Sequence, residues 1–376
     1  MEYTLLKNIA VITMGQSPSS SSYNEEGVGI PFYQGNADFG ELYPTARIWC
    51  NEPKKIANKN DILISVRAPI GALNYATEQC CIGRGLASIT VKDEVLRNYV
   101  FRLLKANRNK LINQGSGSTF KAIGKSNLEE LRIPIVDEMT QKKIMNLMDA
   151  TEQIIRQRQI ELQLFDDLIK ARFVEMFGTY PANEKGWNTG NIRDIVSEVR
   201  YGSSRPAVDG GRYPYLRMNN ITYDGELDLS DTKRIDVPDN ELEKCTVRRG
   251  DVLFNRTNSK ELVGKTCVYN RDEMMVLAGF VIRVRVNDEV LPEFLSAFLN
   301  TDFSKKMLLG MCKTAIGQAN INAQELQNIC LYVPPIDLQQ QFIDFKKQLD
   351  KSKAAVQKAL DETQLLFDSL MQEYFG

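Results

Sequence analysis

Residues 140–174 and 338–375 contain neither proline nor glycine, and both carry apolar side chains at alternating steps of three and four. In the first stretch the stripe runs Ile144, Leu147, Thr151, Ile154, Arg158, Glu161, Phe165, Leu168 and Arg172. A shoulder of Met148, Ile155, Leu162, Ile169 and Phe173 lies beside it. In the second stretch the stripe runs Phe342, Phe345, Leu349, Ser352, Val356, Ala359, Thr363, Leu366 and Leu370. That period predicts a long amphipathic helix in each stretch, the first of about nine turns or roughly 50 Å. Gly178 and Pro181 stop the first, and Pro334–Pro335 precede the second. Two exposed stripes of this length would aggregate, so the helices are expected to pack on each other as an antiparallel pair. Ile144, Leu147, Ile154, Phe165 and Leu168 would then face Phe342, Phe345, Leu349, Val356, Leu366 and Leu370. The polar interruptions at Arg158, Glu161, Ser352 and Thr363 weaken a two-stranded seam and point to further helices supplied by partners.

Outside these stretches the pattern changes to short β-rich runs punctuated by glycine and proline. ILISV (62–66) and LASITV (86–91) read as strands before a helix at 96–112, and SPSSSS (17–22) reads as a mobile loop. VLFNRT (252–257), KTCVYN (265–270) and GFVIRVRV (279–286) read as strands before a helix at 291–309. The programme is therefore run twice. PFYQGNADFGEL (31–42) matches PYLRMNNITYDGEL (214–227), and DILISVRAPIG (61–71) opens like DVLFNRTNSKELVG (251–264). STFKAIGKSNL (118–128) matches IGQANINAQEL (316–326), and LFDDLIKARF (164–173) recurs as LFDSLMQEYF (366–375). The pairs keep their order at offsets of 183 to 202 residues, the length of a whole domain rather than of a solenoid unit. The expected architecture is α+β: two similar globular α/β modules, residues 1–136 and 181–333, separated by two long antiparallel coiled-coil helices in 137–180 and 334–376, with an internal pseudo-two-fold repeat.

Composition narrows the chemistry. The 376 residues include no histidine, which removes the commonest general acid/base and the commonest metal ligand. The seven cysteines form no CxxC pair and read as free thiols of a reducing cytosol, so no metal site is expected. No apolar run is long enough to span a bilayer and no secretory leader opens the chain, so the expectation is a cytoplasmic protein without membrane contact. Neither GxxxxGK[ST] nor GxGxxG occurs; GSGS (115–118) reads as a turn, Glu129–Glu130 as flanking a strand, and Asp166–Asp167 as facing solvent. No catalytic residue and no cofactor are expected. Net charge is −1, but residues 1–136 carry 16 Lys+Arg against 12 Asp+Glu, so a basic face is possible where cations cluster.

Three polar loops recur at equivalent places in the two modules, with different residues at their tips. Gln34 and Asn36 correspond to Arg217 and Asn219. Arg67 faces the place of a loop holding Asn255, Arg256, Asn258 and Lys260. Ser118, Thr119 and Lys121 correspond roughly to Gln318 and Asn320. Arginine pairs with guanine through two hydrogen bonds and Asn or Gln with adenine, so such loops can read base edges, while Lys54 and Lys55 suit phosphates. Taken singly, each is equally a solvated surface residue. A shared scaffold with divergent tips fits two readers of different DNA sequences, and it also fits a duplicated coiled-coil scaffold that binds only proteins.

The chain resembles the specificity subunits of type I DNA restriction-modification systems. The resemblance is carried by IGQANINAQELQNICLYVPPIDLQQQF (316–342), its weaker copy AIGKSNLEELRIPIVDEMTQKKI (122–144), the long helix after each, and the openings ITMGQSP (12–18) and VRYGSSRP (199–206). It departs in having Ile-Pro-Ile where the second copy has Val-Pro-Pro, and Thr140–Gln141 and Gln339–Gln340 where the family often has Glu-Gln. The resemblance implies a non-catalytic subunit whose globular modules are target recognition domains on double-stranded DNA. It implies helices that space the two domains and bind two methyltransferase subunits, with restriction subunits joining through the complex. Base-contacting residues vary across this family, so the resemblance does not locate them.

Overall fold

The computed structural model describes residues 2–91, 93–115, 121–134, 136–315 and 318–376, apart from the side chains of 313–315 and 318. The chain forms two compact units, Met1–Gln159 with Gln357–Gly376, and Ile160–Val356. Each is a globular module plus half of each long helix.

In the first unit an antiparallel sheet orders its strands Val11–Met14, Leu86–Thr90, Ile62–Ser65 and Leu73–Tyr75. A second sheet orders Tyr23–Asn24, Trp49–Cys50, Ile30–Tyr33, Cys80–Ile82 and Ile56–Ala57, and in it Ile30–Tyr33 runs parallel to Cys80–Ile82. Strands such as Ile62–Ser65 are buried throughout, which explains their unbroken apolar sequence. SPSSSS is partly built into the fold: Ser20–Ser22 is a 3-10 turn, and buried Ser22 donates its hydroxyl to the Ser19 carbonyl at 2.7 Å.

The second unit repeats this plan. Its antiparallel sheet orders Val196–Tyr201, Val281–Val286, Val252–Asn255 and Thr266–Val268. Its second sheet orders Lys233–Ile235, Tyr213–Leu216, Met275–Leu277 and Thr246–Val247, with Tyr213–Leu216 parallel to Met275–Leu277. The helices expected at 96–112 and 291–309 are each broken in two, at Asn107 and at Asn300–Thr301. Both breaks are held by asparagine: Asn107 Nδ2 donates to the carbonyls of Leu103 and Phe375, and Asn300 Nδ2 to those of Ser296 and Thr266.

The long helices run Glu138–Phe177 and Ile336–Phe375, 40 residues each, or about 60 Å. They are longer than the stripe alone indicated, and side chains tie down both starts. Asp137 accepts from the Thr140 backbone N–H at 3.0 Å and from its hydroxyl, which holds the Asp137 carboxyl below its ordinary pKa. Gln141 Nε2 donates to the Val136 carbonyl at 2.9 Å, and Gln339 Nε2 to the Pro334 carbonyl at 2.8 Å, the same five-residue reach back at both starts. The recurring Leu-Phe-Asp…Phe segments end each helix inside a core. Phe173 packs with Phe177, Phe294 and Phe342 in the second unit, and Phe375 packs on Tyr99 in the first.

The helices pair antiparallel inside each unit, but the expected seam is rotated. Leu147, Ile154, Leu168 and Leu366 are exposed, while Met148, Ile155, Phe173 and Phe367 are buried. Ile144 and Phe342 are buried as expected; Phe165, Phe345, Leu349, Val356 and Leu370 are half-buried. The shoulder of the first stripe is therefore its inward edge, since Leu162 and Phe173 offer apolar area where Glu161 and Arg172 offer charge. The polar interruptions are partly matched within the chain. Arg158 donates to the Ala359 carbonyl and the Thr363 hydroxyl in the first unit. Lys353 pairs with Asp166 in the second, so Asp166 does not face solvent alone. Ser352 and Glu161 are exposed.

Candidate nucleic-acid interface

In the first unit four chain segments meet at one end of the sheets, joined by a row of backbone hydrogen bonds. Gly85 N–H donates to the Gln34 carbonyl at 3.1 Å, Val66 N–H to the Gly85 carbonyl at 2.9 Å, and Ile123 N–H to the Val66 carbonyl at 2.9 Å. Arg67 and Ala122 form an antiparallel bridge beside this row. The side chains that follow stand on the rim. Gln34, Asn36, Arg67 and Arg84 line one recess of about 200 Å³. Gln34, Arg67 and Arg84 are exposed, and no hydrogen bond or ion pair holds either guanidinium among the described residues. Lys121 is exposed one residue from the bridge. Lys54 and Lys55 precede Ile56–Ala57, which pairs antiparallel with Cys80–Ile82; the register puts them level with Ile82 and Gly83, at the same sheet end. Ser118 and Thr119 lie outside the described residues.

The second unit builds most of this row, but its bond to the strand before the rim comes from Ala278, the counterpart of Gly83, and not from Phe280, the counterpart of Gly85. Ala278 N–H donates to the Leu216 carbonyl at 2.9 Å, Arg256 N–H to the Phe280 carbonyl at 3.0 Å, and Ile321 N–H to the Arg256 carbonyl at 2.9 Å. Its tips are more committed. Arg217 Nη2 pairs with Asp231 at 2.9 Å. Arg256 lies over the Tyr201 ring at 4.9 Å. Asn320 Oδ1 accepts from the Thr257 hydroxyl at 3.0 Å, and Asn258 Oδ1 accepts from the Ser259 N–H at 2.8 Å. Asn255 is fully buried and cannot touch a ligand. Asn219 and Lys260 are exposed on the rim loops; Gln318 has its backbone in the strand Gln318–Asn320, with no side-chain placement described.

The correspondence read from sequence shifts by one residue at the first loop. A 3-10 turn follows the strand in both units, Asn36–Asp38 and Met218–Asn220, capped by Gly35 and Arg217. The first unit thus carries one extra residue there, and Asn219 aligns with Ala37 rather than with Asn36. Three rim residues escaped the sequence reading. Arg84 sits between two glycines that looked like turn punctuation, Tyr201 is the platform under Arg256, and Phe280 is 54% exposed. Three further surface cations are engaged: Arg249 with Asp272, Arg108 with the Ile70 carbonyl, and Lys110 with the Gly376 carbonyl.

The second unit also holds a cavity of about 690 Å³, walled by Phe173, Tyr180, Phe298 and Phe342 and reached by Lys305 and Tyr223. Lys305 donates to the Gly264 carbonyl at 3.2 Å and lies over the Tyr223 ring; burial pushes its amine down to about 8. Among the described residues no cluster of potential metal ligands occurs, and no helix is long and apolar enough to cross a membrane.

The family model of the type I restriction modification DNA specificity domain matches residues 1–164 and 184–363. A protein of Methanocaldococcus jannaschii named as the MjaX type I restriction enzyme specificity subunit is 47% identical over 145 residues, covering 38% of this chain and 34% of that protein. The chain thus spans about a third of that relative's length. The EcoKI specificity subunit of Escherichia coli K12 is 21% identical over 369 residues, 91% of this chain and 79% of that one. In fold, the crystal structure of the type I restriction-modification S subunit from M. genitalium aligns over 100% of this chain and 96% of its own, with a TM-score of 0.54 at 14% identity.

Proposed function

Because this chain belongs to the type I restriction-modification DNA specificity family, we propose that it is the non-catalytic subunit that reads a split, asymmetric target on double-stranded DNA, one half-site per globular unit. The observation that carries this reading is the rim of the first unit. Gln34, Asn36, Arg67 and Arg84 share one recess, with Lys54, Lys55 and Lys121 at the same sheet end. Amides and guanidiniums suit base edges, and lysines suit phosphates. The second unit repeats the scaffold with other tips, so its half-site has a different sequence. Unpartnered cations at a sheet end have no structural role in the fold, which disfavours a scaffold that binds only proteins.

The long helices, an antiparallel coiled-coil spacer in this reading, set the gap between half-sites and dock two methyltransferase subunits, with restriction subunits joining through the complex. The residues that turned outward instead of into the seam, Leu147, Ile154 and Leu366 in the first unit and Leu168 in the second, supply the docking stripe together with exposed Ile160 and Leu164. Exposed aliphatics at helical spacing are what a partner helix buries.

The spacer is tested by lengthening both helices at one level. Ile155 and Leu360 pack in the same core, so four residues are inserted after each. Each insertion adds about 6 Å, or about two base pairs at 3.4 Å per step. Methylation mapping in cells expressing the variant with its methyltransferase partner should show a gap longer by about two base pairs and both half-sites intact. A changed half-site with an unchanged gap refutes the spacer.

A further inference from the structure

We propose that the first unit reads two guanines, one with Arg67 and one with Arg84, so that its half-site contains two G·C pairs within two or three base-pair steps. The inference rests on the reading of both units as DNA readers and names the chemistry of one of them.

The placement of Arg84 is rigid. A Cβ built on Gly85 would lie 2.4 Å from the Gln34 carbonyl oxygen, and one on Gly83 would lie 3.1 Å from both the Phe32 ring and the Gln34 Cα. On the other side, a Cβ on Gly15 would lie 2.1 Å from the Gly83 carbonyl oxygen. Two backbone segments, at Gln34 and at Gly15, therefore close on the Gly83–Arg84–Gly85 turn, and only the arginine side chain leaves it. Arg67 is fixed as firmly: its bridge to Ala122 and the Val66–Gly85 bond hold its backbone on both sides. Both arginines stand one residue from that bond, which puts their Cα atoms within about 10 Å of each other. Side chains of that length, spreading from points so close, reach neighbouring base pairs stacked at about 3.4 Å.

Free guanidiniums could instead hold phosphates. The company they keep argues for bases. Gln34 and Asn36 line the same recess, and their amides complement adenine as guanidinium complements guanine. The phosphate role has its own candidates in Lys54, Lys55 and Lys121, point charges at the same sheet end but absent from the lining of the recess. The second unit has Gly279 at the place of Arg84, and its Arg205 and Arg217 are paired with Glu241 and Asp231. The double-arginine reader thus belongs to one unit, which makes the two half-sites chemically unlike.

The test is methylation mapping in cells expressing the chain, or its Arg84→Gln, Arg84→Lys and Arg67→Gln variants, together with the methyltransferase partner. The native target should have one half-site with two G·C pairs at most three steps apart. Arg84→Gln and Arg84→Lys should both relax one of these positions, losing about 5- to 150-fold discrimination there, and Arg67→Gln should relax the other. The second half-site and the gap should not change. Lysine keeps the charge but loses the two-pronged fork, and glutamine loses both, so unchanged specificity in Arg84→Lys and Arg84→Gln alike would mark a phosphate contact and overturn the proposal. So would uniform loss of methylation across native sites in Arg84→Gln, or a half-site of A·T pairs only where the Arg67 variant acts. Absence of any chain-dependent split motif would instead defeat the underlying reading of the units as DNA readers.

Discussion

Replacing Lys54 and Lys55 together with glutamine should weaken DNA binding without altering which sequence is bound. Both side chains are exposed at the rim of the first unit, and no ion pair holds either ammonium among the described residues. Each phosphate contact releases condensed counterions, steepening log K against log salt by about 0.9 per contact. Losing two contacts flattens the slope by about 1.8. Over a fourfold rise in salt, say from 50 to 200 mM, the affinity gap between native and variant complexes then closes by roughly 4 to the power 1.8, about 12-fold. The assay is fluorescence anisotropy of the complex reconstituted with its methyltransferase subunits, on cognate and scrambled duplexes at four salt concentrations. The cognate-to-scrambled ratio should stay constant, because a point charge on a phosphate carries no sequence information. An unchanged slope, or a changed preference between duplexes, would show that these lysines do not hold phosphates and that the rim has been oriented wrongly.

Two further outcomes concern the scaffold of the second unit. Asp251 is buried, with Arg285 Nε 2.7 Å from it and Arg283 only at 4.0 Å, while Arg285 and Arg283 share Glu198. Arg285→Met should cost about 3–5 kcal/mol because it strands a buried carboxylate. Arg283→Met leaves both acids on Arg285 and should cost about 1–2 kcal/mol; equal losses in urea unfolding would refute the assignment. Lys305 has its folded pKa pushed down to about 8 from 10.5 by burial. Below 8 the amine is charged in both states and the folded form carries the penalty; between 8 and 10.5 the unfolded chain binds more protons, so stability rises with pH. After discounting for partial exposure, Lys305→Met should gain about 1–2 kcal/mol at pH 7 and show no gain at pH 11; a gain that does not depend on pH rules out titration as its cause.

The duplication and both long helices were legible because they live in local periodicity and in matched segments. The rotation of the helix pair was harder. At 147/148, 154/155 and 168/169 both neighbours are apolar, so period alone fits either face. The deciding signals were Leu162 against Glu161 and Phe173 against Arg172, where one face would bury a charge and the other would not. Rim residues were legible as loops but not as free or tied. Arg217 is held by Asp231, fourteen residues away, and Asn255 is swallowed by the sheet; neither fact has a local sequence mark. Arg84 was hidden by its glycines, which read as turn punctuation although the approach of the Gln34 carbonyl leaves no room for a Cβ at Gly85.

That approach also bears on how one scaffold carries two different rims. The row joining the four segments uses only backbone donors and acceptors, so any rim side chain can change without breaking it. Glycine persists where backbones touch in both units: a Cβ would lie 2.1 Å from a carbonyl oxygen at Gly15 and 2.2 Å from one at Gly202. At the places of Gly83 and Gly85 the second unit has Ala278 and Phe280. The difference follows from the single extra residue before the 3-10 turn of the first unit, which lets the Gln34 carbonyl reach over to accept from Gly85 N–H at 3.1 Å. With that residue present position 85 has no room for a Cβ, and the Arg84 side chain stands alone at the tip. Without it the turn has room for an aromatic ring. One inserted residue therefore goes with a free guanidinium in one unit and Phe280 in the other, and the chemistry of a rim is set by loop length as much as by the identity of the tip.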